Sequence, residues 1–251
     1  MFAIYGGAFA GLTVLARKKG AGFGKKLLFW IMTATFAVYC IYKAILVWGS
    51  GYSEVLVAGG REPACIWTEL PFQLCNINLI LIPVGLLFDS KPILSFSMYM
   101  APVGALLALI MPSYGFNGYN MFLPRMLGYY ITHFIILFGG LAVCSFGIVE
   151  PRLRDFPATV ITMLLLTVFT FLINFALRKT GLAPAANFFY SMNPDGNPVL
   201  ELFYGWIPVP LLYEISALLI LVPYMFFYLG VFSFVKRKKP GGEDCGEAAQ
   251  V

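Results

Sequence analysis

The sequence predicts an all-α polytopic membrane protein: a seven-helix transmembrane bundle with its amino terminus outside and its carboxyl terminus in the cytoplasm. The first observation is composition, since 60% of the 251 residues are hydrophobic, only 12% are charged, and the mean hydropathy is +0.82. Soluble domains carry roughly 25% charged residues, so this chain has too few polar side chains to cover a water-exposed surface. The second observation is that apolar runs of about the length a bilayer crossing needs recur along nearly the whole chain.

Seven such runs follow one another. In order along the chain, the predicted spans are Phe2–Ala16, Leu27–Trp48, Thr68–Phe88, Pro92–Met111, Met126–Val149, Phe156–Leu177 and Pro208–Phe234. The first is short for a crossing, but the basic side chains that follow it, Arg17 to Lys19, can lengthen it by reaching toward the headgroups. Residues 1–239 are therefore predicted to form one transmembrane domain, and residues 240–251 a disordered cytoplasmic tail.

Basic residues determine the predicted orientation. With the amino terminus outside, the loops beginning at Arg17, Asp89 and Glu150, together with the tail from Lys236, place 12 basic residues in the cytoplasm. Four basic residues lie outside, and Lys43 lies within a span. Cytoplasmic loops of membrane proteins carry this excess of Lys and Arg. The basic run 236–239 is then an ordinary end of a span, so we expect no nucleic-acid partner, and no protein partner is predicted.

Polar side chains inside the predicted spans are the candidate functional residues. An ionisable side chain costs about 2.5–3.5 kcal/mol at the bilayer centre, so such residues face a cavity or a partner. The residues in question are Lys43, Glu69, Gln73, Cys75, Asn76, Asn78, Arg125, Tyr129, His133, Asn174 and Glu214. Counted from the outer ends of their spans, Cys75, His133 and Glu214 lie about 9–11 Å deep. We therefore predict a polar pocket in the outer half of the bundle.

Cys75 and His133 are the candidate catalytic pair. His133 is the only histidine in the chain, and no two cysteines have the spacing of metal ligands, so neither a metal site nor a cofactor is expected. A thiol attacks as its thiolate and needs an adjacent base or cation, which His133 is predicted to supply. The supporting residues predicted for this pair are Asn76, Asn78 or Asn174 as oxyanion donors and Glu69 or Glu214 as the carboxylate that orients the imidazole.

Several short motifs resemble a known family. They are the run from Glu69 to Cys75 (ELPFQLC), the run Pro112-Ser113-Tyr114, the run from Ile131 to Phe134 (ITHF) and the run from Asn187 to Tyr190 (NFFY). Together they resemble the YwaF-like integral membrane proteins, to which eukaryotic transmembrane protein 164 is related. The similarity extends from about Leu27 to Phe234.

This resemblance implies a cysteine-dependent phospholipid acyltransferase, in which a thiol takes an acyl chain from a phospholipid and passes it to a lysophospholipid. Cys75 matches the nucleophile and His133 matches its partner. The family often has a second histidine two residues before the cysteine, where this chain has Gln73. Asn187 and the polar residues near the pair are then expected to support substrate binding, and the bacterial cytoplasmic membrane is the expected location.

A second function class stays open at this point. In a small-solute or proton-coupled transporter, Lys43, Glu69, Arg125 and Glu214 line a path and Cys75 only packs. Polar residues crowded at one depth favour a closed pocket over a path across the membrane. Hydrolysis by water also stays open beside transfer to a lysolipid.

Overall fold

The computed structural model describes residues 1–49, 65–111 and 124–237, and every regular element within these ranges is helical. The α-helices are α1 (Phe2–Lys19), α2 (Ala21–Trp48), α3 (Leu74–Leu87), α4 (Lys91–Ile110), α5 (Pro124–Ser145), α6 (Phe156–Lys179), α7 (Pro198–Trp206) and α8 (Leu218–Arg237). Short 3₁₀ helices cover Leu153–Asp155, Phe188–Tyr190 and Leu212–Ala217. The all-α prediction is confirmed, while the predicted tail 240–251 and the motif Pro112-Ser113-Tyr114 lie outside the described residues.

Within the described residues, five helical segments are long and apolar enough to cross a membrane, and the chain is an integral membrane protein. These segments are Ala21–Trp48, Lys91–Ile110, Met126–Ser145, Leu153–Lys179 and Leu212–Val235. The two other predicted spans are helical but differ from these, because α1 ends in three basic residues and α3 has only 14 residues. Seven crossings and the orientation of the termini remain predictions.

Two predicted spans do not begin as regular helices. Pro71 disfavours a helical conformation at Leu70, so residues 65–73 form turns and α3 begins at Leu74 instead of Thr68. The last predicted span begins with the 3₁₀ helix Leu212–Ala217, and its α-helix starts only at Leu218. Cys75 is therefore the second residue of α3, and Glu214 lies before the start of α8. The predicted depths assumed continuous helices, and that assumption is wrong for both residues.

Contacts at one end of the bundle agree with the predicted grouping of loops. Lys25, near the start of α2, forms an ion pair with Asp89 in the turn between α3 and α4. Arg17 Nε donates a hydrogen bond to the Ser145 carbonyl oxygen at the end of α5, at 2.9 Å. The end of α1, the start of α2, the α3–α4 turn and the end of α5 thus lie at the same end of the bundle.

Close packing joins α4 to α5. A Cβ atom at Gly140 of α5 would lie 2.6 Å from Cδ of Pro102 and 2.8 Å from Cβ of Ala101, so only glycine fits there. Phe96 of α4 and Ile136 of α5 are fully buried in the same core. Because α3 also packs against both helices, α3, α4 and α5 form the frame that carries Cys75 and His133.

Candidate functional site

Cys75 lies in the first turn of α3 and is half-buried. The first N–H groups of a helix have no carbonyl partner inside the helix. In the described part of the chain, no backbone carbonyl outside α3 accepts a hydrogen bond from the N–H groups of Leu74, Cys75 or Asn76. The positive end of the helix dipole favours a thiolate. This turn therefore offers backbone donors and electrostatic support to negative charge beside the Cys75 sulfur.

Space beside the thiol comes from a glycine on α4. A Cβ atom placed on Gly104 would lie 3.4 Å from the Cys75 Sγ and 3.5 Å from the Leu74 side chain. Since Gly104 has no side chain, the sulfur faces α4 without being covered by one. A substituent larger than a methyl group at this position would compete with anything bound to the sulfur.

His133 is buried on α5, with 7% of its surface exposed. Its Nδ1 lies 2.7 Å from the carbonyl oxygen of Tyr129. Because a carbonyl oxygen can only accept, Nδ1 carries the hydrogen, and in the neutral ring Nε2 holds the lone pair. The Tyr129 ring packs against the imidazole with 4.1 Å between centroids. The His133 ring is thus held in place with Nε2 as its basic nitrogen.

Tyr129 interacts with both candidate catalytic residues. Besides contacting His133, it donates its hydroxyl to the Ala108 carbonyl oxygen of α4 at 2.7 Å, and it is within electrostatic range of Cys75. Across the described ranges, no hydrogen bond joins Cys75 directly to His133. The predicted pair therefore shares a neighbour without a direct hydrogen bond, and proton transfer between them needs a bridging water or a small movement.

A second polar group lies on the α2 side of Cys75. Lys43 forms an ion pair with Glu69, so the Glu69 carboxylate is engaged by an ammonium group. The group that orients the His133 imidazole is the Tyr129 carbonyl and not a carboxylate. The Tyr39 hydroxyl donates to the Glu69 carbonyl oxygen and accepts from Asn76 Nδ2, both at 3.4 Å. Among the described residues, the buried Oδ1 atoms of Asn76 and Asn78 have no hydrogen-bond partner, while the Asn78 Nδ2 donates to the Leu74 carbonyl at 2.7 Å.

Residues 183–193, here called the cap segment, close the amino-terminal end of α3. Gln73 Oε1 accepts a hydrogen bond from the Phe189 N–H at 3.0 Å, and Gln73 Nε2 donates to the Asn187 carbonyl at 3.4 Å. The Asn187 amide in turn bonds within the segment, donating to Asn193 at 2.9 Å. The residue at the position of the missing second histidine therefore has a structural contact to this segment.

Asn174 of α6 anchors the same segment from the other side. It is fully buried, donates to the Phe188 carbonyl and to Ser191 Oγ at 2.9 Å each, and accepts from the Phe188 N–H at 2.9 Å. Both amide hydrogens are thus used within the protein. This geometry gives Asn174 a role in holding the cap segment.

The cap segment has a strained backbone next to Cys75. Phe189 and Tyr190 both have φ of 61°, a region that costs a residue with a side chain about 1–3 kcal/mol. The Tyr190 carbonyl accepts a hydrogen bond from the Tyr213 hydroxyl, which helps to hold this conformation. Tyr190 lies within electrostatic range of Cys75, and burial raises the pKa of its phenol, so it stays a hydrogen-bond donor at neutral pH. Its place in the NFFY motif is the sequence signal that could have singled it out.

The chain matches the family model described as the TMEM164 family over residues 1–228, which include Cys75, His133 and the cap segment. It belongs to the TMEM164 family. The predicted resemblance is confirmed at this level. Among curated proteins and among solved structures, nothing matches the chain.

The remaining candidate residues of this TMEM164 family member lie apart from the pair. Glu214 lines an apolar cavity of about 280 Å³ beside Thr167 of α6, and its buried Oε1 has no hydrogen-bond partner within the described residues. Arg125 is the second residue of α5, and its side chain lies outside the described part of the structure. In the ranges that the structure describes, no three His, Cys, Asp or Glu residues cluster as metal ligands.

Proposed function

We propose that this TMEM164 family member is a membrane-embedded acyltransferase that moves an acyl chain from a phospholipid to a lysophospholipid through a thioester on Cys75. The observation that carries this proposal is the arrangement around Tyr129. That side chain contacts an imidazole whose Nε2 carries the lone pair, and it is within electrostatic range of a thiol at a helix amino terminus. Nucleophilic catalysis needs a thiol, a base that takes its proton and donors that stabilise the oxyanion.

In the first half-reaction, His133 Nε2 takes the Cys75 proton and the sulfur attacks an ester carbonyl of the donor phospholipid. The N–H groups of Cys75 and Asn76 in the first turn of α3 hold the negative oxygen of the tetrahedral intermediate. When the intermediate collapses, the ester C–O bond breaks and a C–S bond remains. The imidazolium gives its proton to the departing oxygen, which leaves as the hydroxyl of a lysophospholipid.

The second half-reaction runs the same steps in reverse with a different alcohol. His133 removes the proton from the hydroxyl of an acceptor lysophospholipid, and that oxygen attacks the thioester carbonyl. The C–S bond then breaks, and the imidazolium returns its proton to the sulfur. No cofactor is consumed, because one ester bond is lost and one is formed.

The test is to trap the thioester. Purified protein is incubated with a phospholipid carrying a labelled acyl chain, and the adduct is measured with and without hydroxylamine, which cleaves thioesters. We expect label on the wild-type protein and on Cys144→Ala, a matched control at the far end of α5, and none on Cys75→Ala. His133→Ala should fold normally and acquire label about 10²–10⁴-fold more slowly.

Two outcomes would contradict the proposal. One is a wild-type protein that acquires no label under conditions in which it stays folded. The other is an adduct that persists in Cys75→Ala. Solute flux into proteoliposomes that is unchanged in Cys75→Ala would favour the transporter instead.

A further inference from the structure

An open groove lies between α2 and α5, next to the candidate site. It has a volume of about 240 Å³ and is lined by Ala34 and Val38 of α2 and by Gly128, Ile131 and Ile135 of α5, among others. Val38 is 64% exposed and Ile131 is 37% exposed, so the groove opens sideways, toward the space that lipid occupies. Along α2 it runs from Ala34 to Tyr42, which is about 12 Å at 1.5 Å per residue.

The polarity of the groove changes along its length. At the Tyr42 end, the Lys43 ammonium lies 5.5 Å from the centroid of the Tyr39 ring and 5.3 Å from that of Tyr42, and it pairs with Glu69. Toward Ala34 the lining is aliphatic, and Thr35 uses its hydroxyl on the Ile31 carbonyl at 2.7 Å. A groove with one polar end and a long apolar remainder suits an acyl chain whose ester group lies at the polar end.

The polar end of the groove is hydrogen-bonded to the residue that follows Cys75. Tyr39 lines the groove, and its hydroxyl accepts a hydrogen bond from Asn76, the residue after Cys75. On the facing helix the groove is lined by Thr132, the residue before His133. Cys75 and His133 do not themselves line the groove, so a chain lying in it would hold its ester end one residue along each helix from the two candidate catalytic residues.

We propose that this groove binds one acyl chain of a glycerophospholipid, with the ester end at Tyr39 and the chain extending along Val38 and Ile131 toward Ala34. The further statement that this bound acyl chain is the one transferred to Cys75 rests on the proposed function. The volume is about eight times the ~30 Å³ share of one liquid water molecule, so the groove holds a segment of chain and leaves the headgroup outside.

Photocrosslinking tests where the chain lies without depending on turnover. The Cys75→Ala protein in lipid nanodiscs is given a phosphatidylcholine that carries a diazirine in the middle of one acyl chain. After illumination, crosslinked peptides are identified by mass spectrometry. We expect labelling concentrated on residues 34–42 and 128–135. Labelling spread evenly over the lipid-facing surfaces of α2, α5 and α6 would overturn the proposal.

Filling the groove tests its contribution to chain selection. Ala34→Trp places an indole in the groove, whereas Ala37→Trp adds the same group to an exposed position of α2 that does not line it. In the Cys75→Ala background, Ala34→Trp should reduce crosslinking to residues 128–135 and Ala37→Trp should not. In proteins with Cys75 intact, Ala34→Trp should lower thioester formation about tenfold for a long-chain donor relative to a short-chain donor, as expected when two methylene groups lose their burial.

The outcomes separate this inference from the acyltransferase proposal. A thioester on Cys75 together with crosslinks elsewhere, or with equal effects of the two tryptophan variants, overturns the groove and leaves the reaction standing. Crosslinks in the groove that Ala34→Trp abolishes, with no thioester on the wild-type protein, support a lipid site and overturn acyl transfer.

Discussion

Replacing Gly140 by alanine should destabilise the α4–α5 packing that supports His133. The new methyl group would lie 2.6 Å from Pro102 Cδ and 2.8 Å from Ala101 Cβ, where carbon atoms normally stay about 3.5–4.0 Å apart. Neither neighbour can rotate away, because a proline ring and an alanine methyl group have no alternative rotamers. The helices must therefore separate by about 1 Å.

The expected free-energy change follows from two opposing effects. Overpacking a well-packed core costs about 1–3 kcal/mol, while Gly→Ala inside a helix gains about 0.5–1 kcal/mol. The mid-range values leave a net loss of about 1 kcal/mol, and at about 2–4 °C per kcal/mol for a chain of this size the Tm should fall by about 2–5 °C.

The neighbouring glycine provides the control. A methyl group on Gly139 would approach Met32 Sδ at 2.6 Å, but a methionine side chain is flexible and can move aside. We expect the Tm of Gly139→Ala to stay within about 2 °C of wild type in thermal unfolding in one detergent. Equal melting of Gly140→Ala and wild type, or equal losses in both variants, would refute this explanation of the packing.

Two further predictions concern the surroundings of Cys75. Lys43→Met alone should lower the free energy of unfolding by about 3–5 kcal/mol, because it leaves the largely buried Glu69 carboxylate unpaired. The double variant Lys43→Met/Glu69→Leu should recover most of that loss in the same unfolding assay. Equal stability of the single and double variants would contradict this prediction. Tyr190→Phe should slow thioester formation about tenfold without lowering the Tm, because it removes a hydrogen-bond donor worth roughly 1.4 kcal/mol within electrostatic range of the sulfur. The control variant Tyr204→Phe on α7 should change neither the rate nor the Tm. An unchanged rate in Tyr190→Phe would remove this residue from the reaction.

Most of the helices could be predicted because the bilayer leaves few alternatives. A run such as Phe156–Leu177 must satisfy its own backbone in lipid, so hydropathy alone predicts α6 to within a few residues. The start of α3 could not be predicted in the same way. The run from Thr68 is apolar enough, but Pro71 and contacts from a distant segment decide that helical structure begins at Leu74.

The roles of the amide side chains could be predicted least. Asn174 and Gln73 were singled out because polar groups in a membrane are costly, and that reasoning does place them at a polar site. Their partners are backbone groups of the irregular cap segment, whose position no periodicity reveals. The hydrogen bond of His133 to the Tyr129 carbonyl, by contrast, joins residues one helical turn apart, and their i, i+4 spacing within one predicted span already places them on the same face.

The length of α3 constrains how the protein is assembled. Fourteen residues reach about 21 Å, less than the ~30 Å hydrocarbon layer, so in the predicted crossing the irregular peptide groups just before Leu74 would lie at a depth where lipid cannot satisfy them. Gln73 finds its partner in Phe189, 116 residues further along the chain. If α3 crosses as predicted, we expect its amino-terminal end to be completed only after the ribosome has made the segment that covers it.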